Sequence, residues 1–326
     1  MNKISGLQSL NKTSENFSAI EQISQPILDK FAVQLFIKRD DLIHPIISGN
    51  KWRKLKYNIE QAKQLGKRQI ISFGGAFSNH IHALAFACHQ HNLQSIGIIR
   101  GEVEYQANFT LSWAQHWGMQ LNFVDRKTYK LRTDTDYLTA LQQKYPQAFI
   151  VPEGGSNQFA LPGVGEVMTE LKQQLEFSHL LAPVGSGGTL AGLIKADDNQ
   201  HQLLGIAVLK QQGYLADEVN ELLGDSYQNF TNWQLMSQFH RGGYGKYKSE
   251  DAARILAFSQ ATNIPFEPVY SGKMLLAFLD LLAQGYFPAG SKIVLLHTGG
   301  MQGLGGMLER GLLSSEQWPV PAKAPK

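Results

Sequence analysis

His179-Leu180-Leu181-Ala182-Pro183-Val184-Gly185-Ser186-Gly187-Gly188-Thr189-Leu190-Ala191-Gly192 runs from an apolar stretch through a glycine-rich turn into the start of a helical pattern. A strand that feeds a helix through a short turn is the building unit of α/β sheets. The glycines expose successive backbone N–H groups, and the N-terminus of the helix attracts an anion, so residues 185–189 read either as a structural turn or as a phosphate cradle. The Walker pattern is absent, because no lysine follows the glycines before Thr189. The dinucleotide pattern G-x-G-x-x-G fits poorly as well: after Gly185-Ser186-Gly187 come Gly188-Thr189-Leu190, without the last glycine. The loop also lies past mid-chain, which argues against an N-terminal dinucleotide-binding half.

The same alternation extends outward in both directions. Short apolar, β-branched runs at 70–73, 95–99, 121–124, 149–151, 179–183, 203–208 and 293–297 are predicted strands, separated by longer amphipathic stretches. Trp52, Leu55, Ile59, Ala62 and Leu65 recur at the three- and four-residue spacing of one helix face, and Gly66 predicts its end. Strands alternating with helices predict a parallel α/β architecture with right-handed crossovers.

Composition narrows the function. The 326 residues are 43% hydrophobic and 17% charged, with a net charge of +3, and no long basic run offers a nucleic-acid surface. The single cysteine, Cys88, excludes an intrachain disulfide and lies in an apolar helical stretch, where a buried structural thiol is expected. Residues 1–20 are polar and broken by Gly, Ser and Asn, unlike a signal peptide. No stretch reaches the roughly 20 apolar residues of a membrane span; the best, 274–287, is interrupted by Asp280, Gln284 and Gly285. A cytoplasmic protein is expected. The three prolines at 319–326 predict a frayed tail without helix.

Three further segments carry chemistry. Gly49-Asn50-Lys51-Trp52-Arg53-Lys54 joins a polar turn that starts at Ser48 to the amphipathic helix. The positive end of the helix dipole and the like charges of Arg53 and Lys54 should lower the pKa of Lys51 toward the neutral amine that covalent catalysis requires. The bland alternative is one solvated lysine among several. Gly74-Gly75-Ala76-Phe77-Ser78-Asn79-His80 runs from a strand into a helix. Ser78 or Asn79 is either an N-cap or a ligand contact at the strand ends. Leu296-His297-Thr298-Gly299-Gly300 closes the last apolar strand, and Tyr270 stands at a loop-to-helix junction in Glu267-Pro268-Val269-Tyr270-Ser271-Gly272-Lys273. His80 and His82, like His89 and His91, are two apart and face differently on a helix, so no metal site is expected. Asp40-Asp41 after Lys38-Arg39 reads as an ion-pair cluster.

Taken in order, from Lys38-Arg39-Asp40-Asp41-Leu42 to His297-Thr298-Gly299-Gly300, these segments closely resemble the 1-aminocyclopropane-1-carboxylate deaminase/D-cysteine desulfhydrase family, in the tryptophan-synthase-β-like group of pyridoxal-phosphate enzymes. The resemblance implies pyridoxal 5'-phosphate held as a Schiff base on Lys51. It implies Asn79 at the pyridoxal hydroxyl and Ser78 near the substrate carboxylate. Gly185, Ser186, Gly187, Gly188 and Thr189 would hold the phosphate with Lys54 in support, Tyr270 would stand beside the substrate, and Thr298 would be the neutral partner of the pyridine nitrogen. The strict deaminases carry a glutamate after the last tyrosine and a glutamine after Ser-Asn; here Ser271 and His80 stand there, which resembles the desulfhydrase branch. Phe77 replaces an expected glutamine before Ser-Asn, and Trp52 is bulkier than the residue expected after the lysine.

The resemblance further implies a two-domain α/β fold with mostly parallel sheets and the cofactor between the domains. Residues 1–57 plus 161–326 would form the large domain and 58–160 a smaller inserted one. It implies a homodimer acting on a small amino acid. The expected reaction is β-elimination from D-cysteine to pyruvate, ammonia and hydrogen sulfide. The alternatives are ring opening of the cyclopropane amino acid to 2-oxobutyrate and ammonia, a non-catalytic cofactor-binding homologue, and a nicotinamide-dependent oxidoreductase, which the phosphate-loop pattern disfavours.

Overall fold

The computed structural model describes residues 17–47, 49–210 and 213–325. Residues 1–16, which hold most of the stretch read as lacking a signal peptide, and Ser48 lie outside the described residues. Ten strands form two sheets: β1 (Ile20–Ile23), β2 (Gln34–Lys38), β3 (Gln69–Gly75), β4 (Gln94–Arg100), β5 (Gln120–Val124), β6 (Ala148–Ile150), β7 (His179–Val184), β8 (Gln202–Ala207), β9 (Trp233–Met236) and β10 (Lys292–Leu296). The larger sheet has the order β1-β2-β10-β7-β8-β9 and the smaller β5-β4-β3-β6. Every pairing is parallel except β1 with β2. The smaller sheet comes wholly from residues 69–150, whereas the larger draws on chain from both sides of that span.

All seven runs predicted as strands are strands, displaced by at most two residues at an end. Three strands have no counterpart in the sequence reading. β1, Ile-Glu-Gln-Ile, and β9, Trp-Gln-Leu-Met, are short edge strands with polar residues inside them. Edge position needs little apolar patterning. β2 has an apolar core of only three residues and ends in Lys38, which is fully buried. Its neighbours β1 and β10 make it a strand.

The two faces of the larger sheet are covered by separate cores. One packs Leu35, Ile37 and Leu295 against Met274, Leu275 and Phe278 of the helix Ser271–Ala283. The other packs Leu180, Val294 and Leu296 against Leu161, Val164 and Met168 of the helix Ala160–Gln174. In the helix Asn50–Gln64, Leu55, Ile59 and Ala62 are buried as their spacing predicts, but Leu65 is exposed. The helix stops one residue earlier, and Lys67 N–H bonds back to the Ala62 carbonyl across Gly66. Gly163 lets the helix Ala160–Gln174 press directly on it: a β-carbon there would lie 2.1 Å from the Arg53 carbonyl oxygen.

Cys88 is fully buried in the helix Asn79–Gln90, and burial pushes its thiol pKa far up, as a structural thiol requires. Residues 319–325 form neither helix nor strand. The expectation of a frayed end needs correction, because the Ala322 carbonyl accepts a 2.9 Å hydrogen bond from the Trp113 indole. Among the described residues no helix is long and apolar enough to cross a membrane.

Candidate active site

Gly49 brings the Lys51 helix to the end of β10. Its φ of 66° is left-handed, and a β-carbon would sit 1.9 Å from the Thr298 carbonyl oxygen, so no other residue fits. One residue later the Asn50 side chain donates to Thr189 Oγ1 at 2.9 Å. The start of this helix is thus tied to both the Thr298 loop and the glycine loop, segments far apart in the chain.

Lys51 and Lys54, one turn apart, point the same way. Lys51 Nζ donates to the Gly154 carbonyl at 3.0 Å, and Lys54 Nζ donates to Ser156 Oγ at 2.9 Å. Ser156 Oγ in turn meets Ser186 Oγ of the glycine loop at 2.7 Å. A β-carbon on Gly188 would lie 3.1 Å from Lys54 Nζ, so the loop backbone comes right up to that amine. Burial lowers the Lys51 pKa to about 8, opposed by attraction to the Glu153 carboxylate. Burial, and then the charge of Lys51, holds Lys54 well below the ordinary lysine value. The direction predicted for Lys51 holds, but Arg53 is not its cause. Arg53 faces the opposite side, where Nε meets Asp40 Oδ2 at 2.6 Å and Nη1 meets Glu170 Oε1 at 2.8 Å. Desolvation does the work that was assigned to its charge.

Asp40 therefore pairs with Arg53, while Asp41 pairs with Arg39 at 2.8 Å, so the Lys38 to Asp41 segment is an ion-pair cluster as read. Ser78 is the N-cap of the helix Asn79–Gln90, accepting weakly from Ile81 N–H at 3.4 Å. Asn79 reaches over the loop after β10: β-carbons on Gly300 and Gly303 would lie 3.2 and 3.1 Å from its amide atoms. His80 is buried with Nε2 2.7 Å from Ser72 Oγ, while Nδ1 has no partner among the described residues. Burial and the neighbouring amines of Lys51 and Lys54 hold its pKa well below the ordinary value, so His80 is neutral. Tyr270 lies against the glycine loop, its Cε1 3.2 Å from where a Gly185 β-carbon would be.

Two contributors escaped the sequence reading. Glu153-Gly154-Gly155-Ser156, immediately after β6, supplies the carbonyl and hydroxyl that meet the two amines. It is a glycine pair following a strand, the same signal that marks the other two loops. Glu267 is buried and accepts the N–H groups of Val269, Tyr270 and Ser271 at 2.6, 2.8 and 2.6 Å, which fixes the turn that presents Tyr270. Burial raises its pKa to about 7 against the pull of those donors. A carboxylate four residues before the helix start at Ser271 was a legible local signal.

Contacts link Lys51, Lys54, Asn79, Gly185 to Thr189, Tyr270 and Thr298 into one neighbourhood, with Ser78 beside Asn79 at a helix start. Known proteins resemble this arrangement. The sequence pattern of the family described as "Pyridoxal-phosphate dependent enzyme" matches residues 23–299. A putative 1-aminocyclopropane-1-carboxylate deaminase from Pyrococcus horikoshii is 30% identical over 290 residues, covering 84% of this chain and 86% of that protein. A D-cysteine desulfhydrase from Klebsiella pneumoniae (strain 342) is 27% identical over 296 residues, covering 85% of this chain and 89% of its own. The crystal structure of an ACC deaminase homologue superposes with a TM-score of 0.78 at 26% identity, covering 90% of this chain and 93% of the other.

Proposed function

The chain belongs to the pyridoxal-phosphate-dependent enzyme family, and from that membership we propose that it removes the β-substituent of a small amino acid, converting D-cysteine and water to pyruvate, ammonia and hydrogen sulfide. The residues fit the cofactor. Two amines, the half-buried Lys51 and the buried Lys54, have carbonyl and hydroxyl oxygens as their hydrogen-bond partners, and a glycine loop opens a helix beside them. A buried cation without a carboxylate partner is costly unless an anion joins it. A phosphate ester bearing an aldehyde supplies both the anion and a group for the amine. Within this proposal Lys51 would hold the aldehyde carbon covalently. The N–H groups of residues 185–189 and Lys54 would hold the phosphate, and Asn79 and Thr298 would hold the ring.

When bound, the cofactor supplies an electron sink that makes the α-proton of an amino acid removable. The protein supplies the rest. With a pKa of about 8, Lys51 Nζ is partly neutral near physiological pH and would serve as the base for that proton. Ser78, at a helix N-terminus, offers its hydroxyl and the positive end of the dipole to the substrate carboxylate. Tyr270 walls the substrate side of the glycine loop.

The position after Tyr270 carries the choice between the two reactions. Ser271 is fully buried and turned away, its hydroxyl 3.1 Å from Glu267. Position 271 thus lacks the glutamate that the resemblance gives the strict deaminases, which supports elimination over ring opening. The relatives include three named D-cysteine desulfhydrases and a bifunctional plant enzyme beside four putative deaminases, so both reactions occur among them. Family resemblance extends the proposal to a cytoplasmic homodimer, with residues 58–160 as an inserted domain and the cofactor between it and the rest. A product assay with D- and L-cysteine and 1-aminocyclopropane-1-carboxylate tests the reaction. Hydrogen sulfide with pyruvate from D-cysteine is expected; 2-oxobutyrate from the cyclopropane substrate alone would replace the reading with the deaminase one.

A further inference from the structure

We propose that Arg132 and Glu153 are positioning residues for Lys51: a paired cation and anion from loops of the smaller sheet, they set the charge on the loop that receives its amine. The inference deepens the reading of Lys51 as the proton-transfer group and rests on it. Arg132 lies in the short turn Leu131–Thr133 between β5 and β6, and Glu153 lies just past β6. Arg132 Nε meets Glu153 Oε2 at 2.6 Å. The Arg132 guanidinium also sits 5.1 Å from the centre of the buried Tyr129 ring, so a cation–π contact holds it as well.

The backbone of Glu153 leads straight to the amines. The next carbonyl, that of Gly154, receives Lys51 Nζ at 3.0 Å and Lys54 Nζ at 3.4 Å. The loop is pressed in on two sides. Gly154 has a left-handed φ of 73°, and a β-carbon there would lie 2.4 Å from Ser186 Oγ; one on Gly155 would lie 3.2 Å from His80 Cε1. Gly155 N–H donates back to the Pro152 carbonyl at 2.9 Å. A backbone set this closely fixes where Glu153 starts, and among the described residues Arg132 is its salt-bridge partner.

Among the described residues, three charged or titratable groups act on Lys51. Lys54 shares its side of the helix, the neutral His80 belongs to the helix Asn79–Gln90, and Glu153 stands in the loop after β6. The glycine loop 185–189 and residues 298–300 carry no such group. Glu153 itself is faced by Arg132, Tyr129, Tyr214 at the start of the helix Tyr214–Leu223, and Tyr270. An anion favours the protonated amine, and a cation that pairs the anion weakens that effect. Arg132 and Glu153 therefore act on the Lys51 proton in opposite senses. Their side chains are 25% and 37% exposed, so solvent screens them and each effect is on the order of half a pH unit rather than several.

The test reads the Lys51 amine directly. In the full-length apo-protein, acetylation of Lys51 by acetic anhydride is followed by mass spectrometry across a pH series. In the protein loaded with pyridoxal phosphate, kcat with D-cysteine is followed over the same series, its acid limb reporting the base in the substrate complex. Glu153→Gln should move the Lys51 titration and the acid limb about half a pH unit lower. Arg132→Ala should move both higher by a similar amount, and Arg132→Lys, which keeps the charge, should titrate near wild type. A loop that had merely lost its structure would move Glu153→Gln and Arg132→Ala the same way. Titrations that stay unmoved, that shift with one sign in both variants, or that coincide for Arg132→Lys and Arg132→Ala overturn this inference alone. Opposite shifts in labelling, with a wild type that releases no keto acid from D-cysteine, uphold the coupling and overturn the reaction class.

Discussion

Two sides of one helical turn treat buried positive charge in opposite ways. Arg53 is almost fully buried and meets carboxylates on two sides, Asp40 and Glu170, with Lys38 closing the network onto Glu170 at 2.6 Å. Its pKa rises further above the usual arginine value, because those carboxylates outweigh the cost of burial. Lys51 and Lys54, on the other side, hydrogen-bond among the described residues only to uncharged oxygens, and burial lowers both pKa values, for Lys51 against the attraction of Glu153. The paired side is a clamp that fixes the helix to β2 and to the helix Ala160–Gln174. In the proposed reading the other side leaves two amines for an outside anion. Burial alone does not separate structure from function here; the presence or absence of a carboxylate partner does.

Replacing Lys51 by alanine is the strongest way to break that contrast. Turnover should fall by about 10⁴-fold, the upper range for losing a positioned proton-transfer group, and the visible absorbance of the bound cofactor should vanish. The thermal unfolding midpoint of the apo-protein should stay near wild type. If absorbance and turnover both survive, the unpaired side is not the site. Next in size, Arg53→Ala strands two carboxylates in the interior and should cost about 3–5 kcal/mol in a urea unfolding titration. A loss below about 1 kcal/mol would place this pair among the weak surface type.

A pH titration sharpens the comparison further. The folded pKa of Lys51, about 8, lies below its ordinary 10.5, so the unfolded chain binds the extra proton between those values. Its contribution is full above 10.5 and is lost as pH falls through about 8. Apo wild type should therefore gain up to about 3 kcal/mol on Lys51→Met between these limits, measured by denaturation at successive pH values. Arg53, charged throughout, should show no such slope. The smallest effect belongs to Lys54→Met, which removes one amine beside the glycine loop. Apparent cofactor affinity should drop about 10-fold, or ~1.4 kcal/mol, in an absorbance titration, with less change in kcat than Lys51→Ala produces.

The site was legible where one local signal sufficed. The Lys51 turn, the 185–189 loop, Ser78-Asn79 and Thr298 each follow or precede a regular element with glycine or polar punctuation, and all of them converge. Glu153 to Ser156 carried the same punctuation and was passed over, because it holds no residue of obvious chemistry and contributes a backbone carbonyl. Glu267 was passed over as well, although the N–H groups it accepts lie only two to four residues along the chain. Arg53 was misread because one-dimensional spacing makes it a neighbour of Lys51, although adjacent helical residues point to different faces.

The order of elements, the parallel architecture and the place of Lys51 at a helix start were set by local patterning, since hydrophobic period and glycine placement act over a few residues of chain. Which of three neighbouring cations would be paired, and which left for a ligand, was decided by tertiary structure. Asp40 lies 13 residues from Arg53 in the chain, and Glu170 lies 117 away. Electrostatic energy depends on distance through space and on desolvation, and both exist only once the helices and sheets have packed.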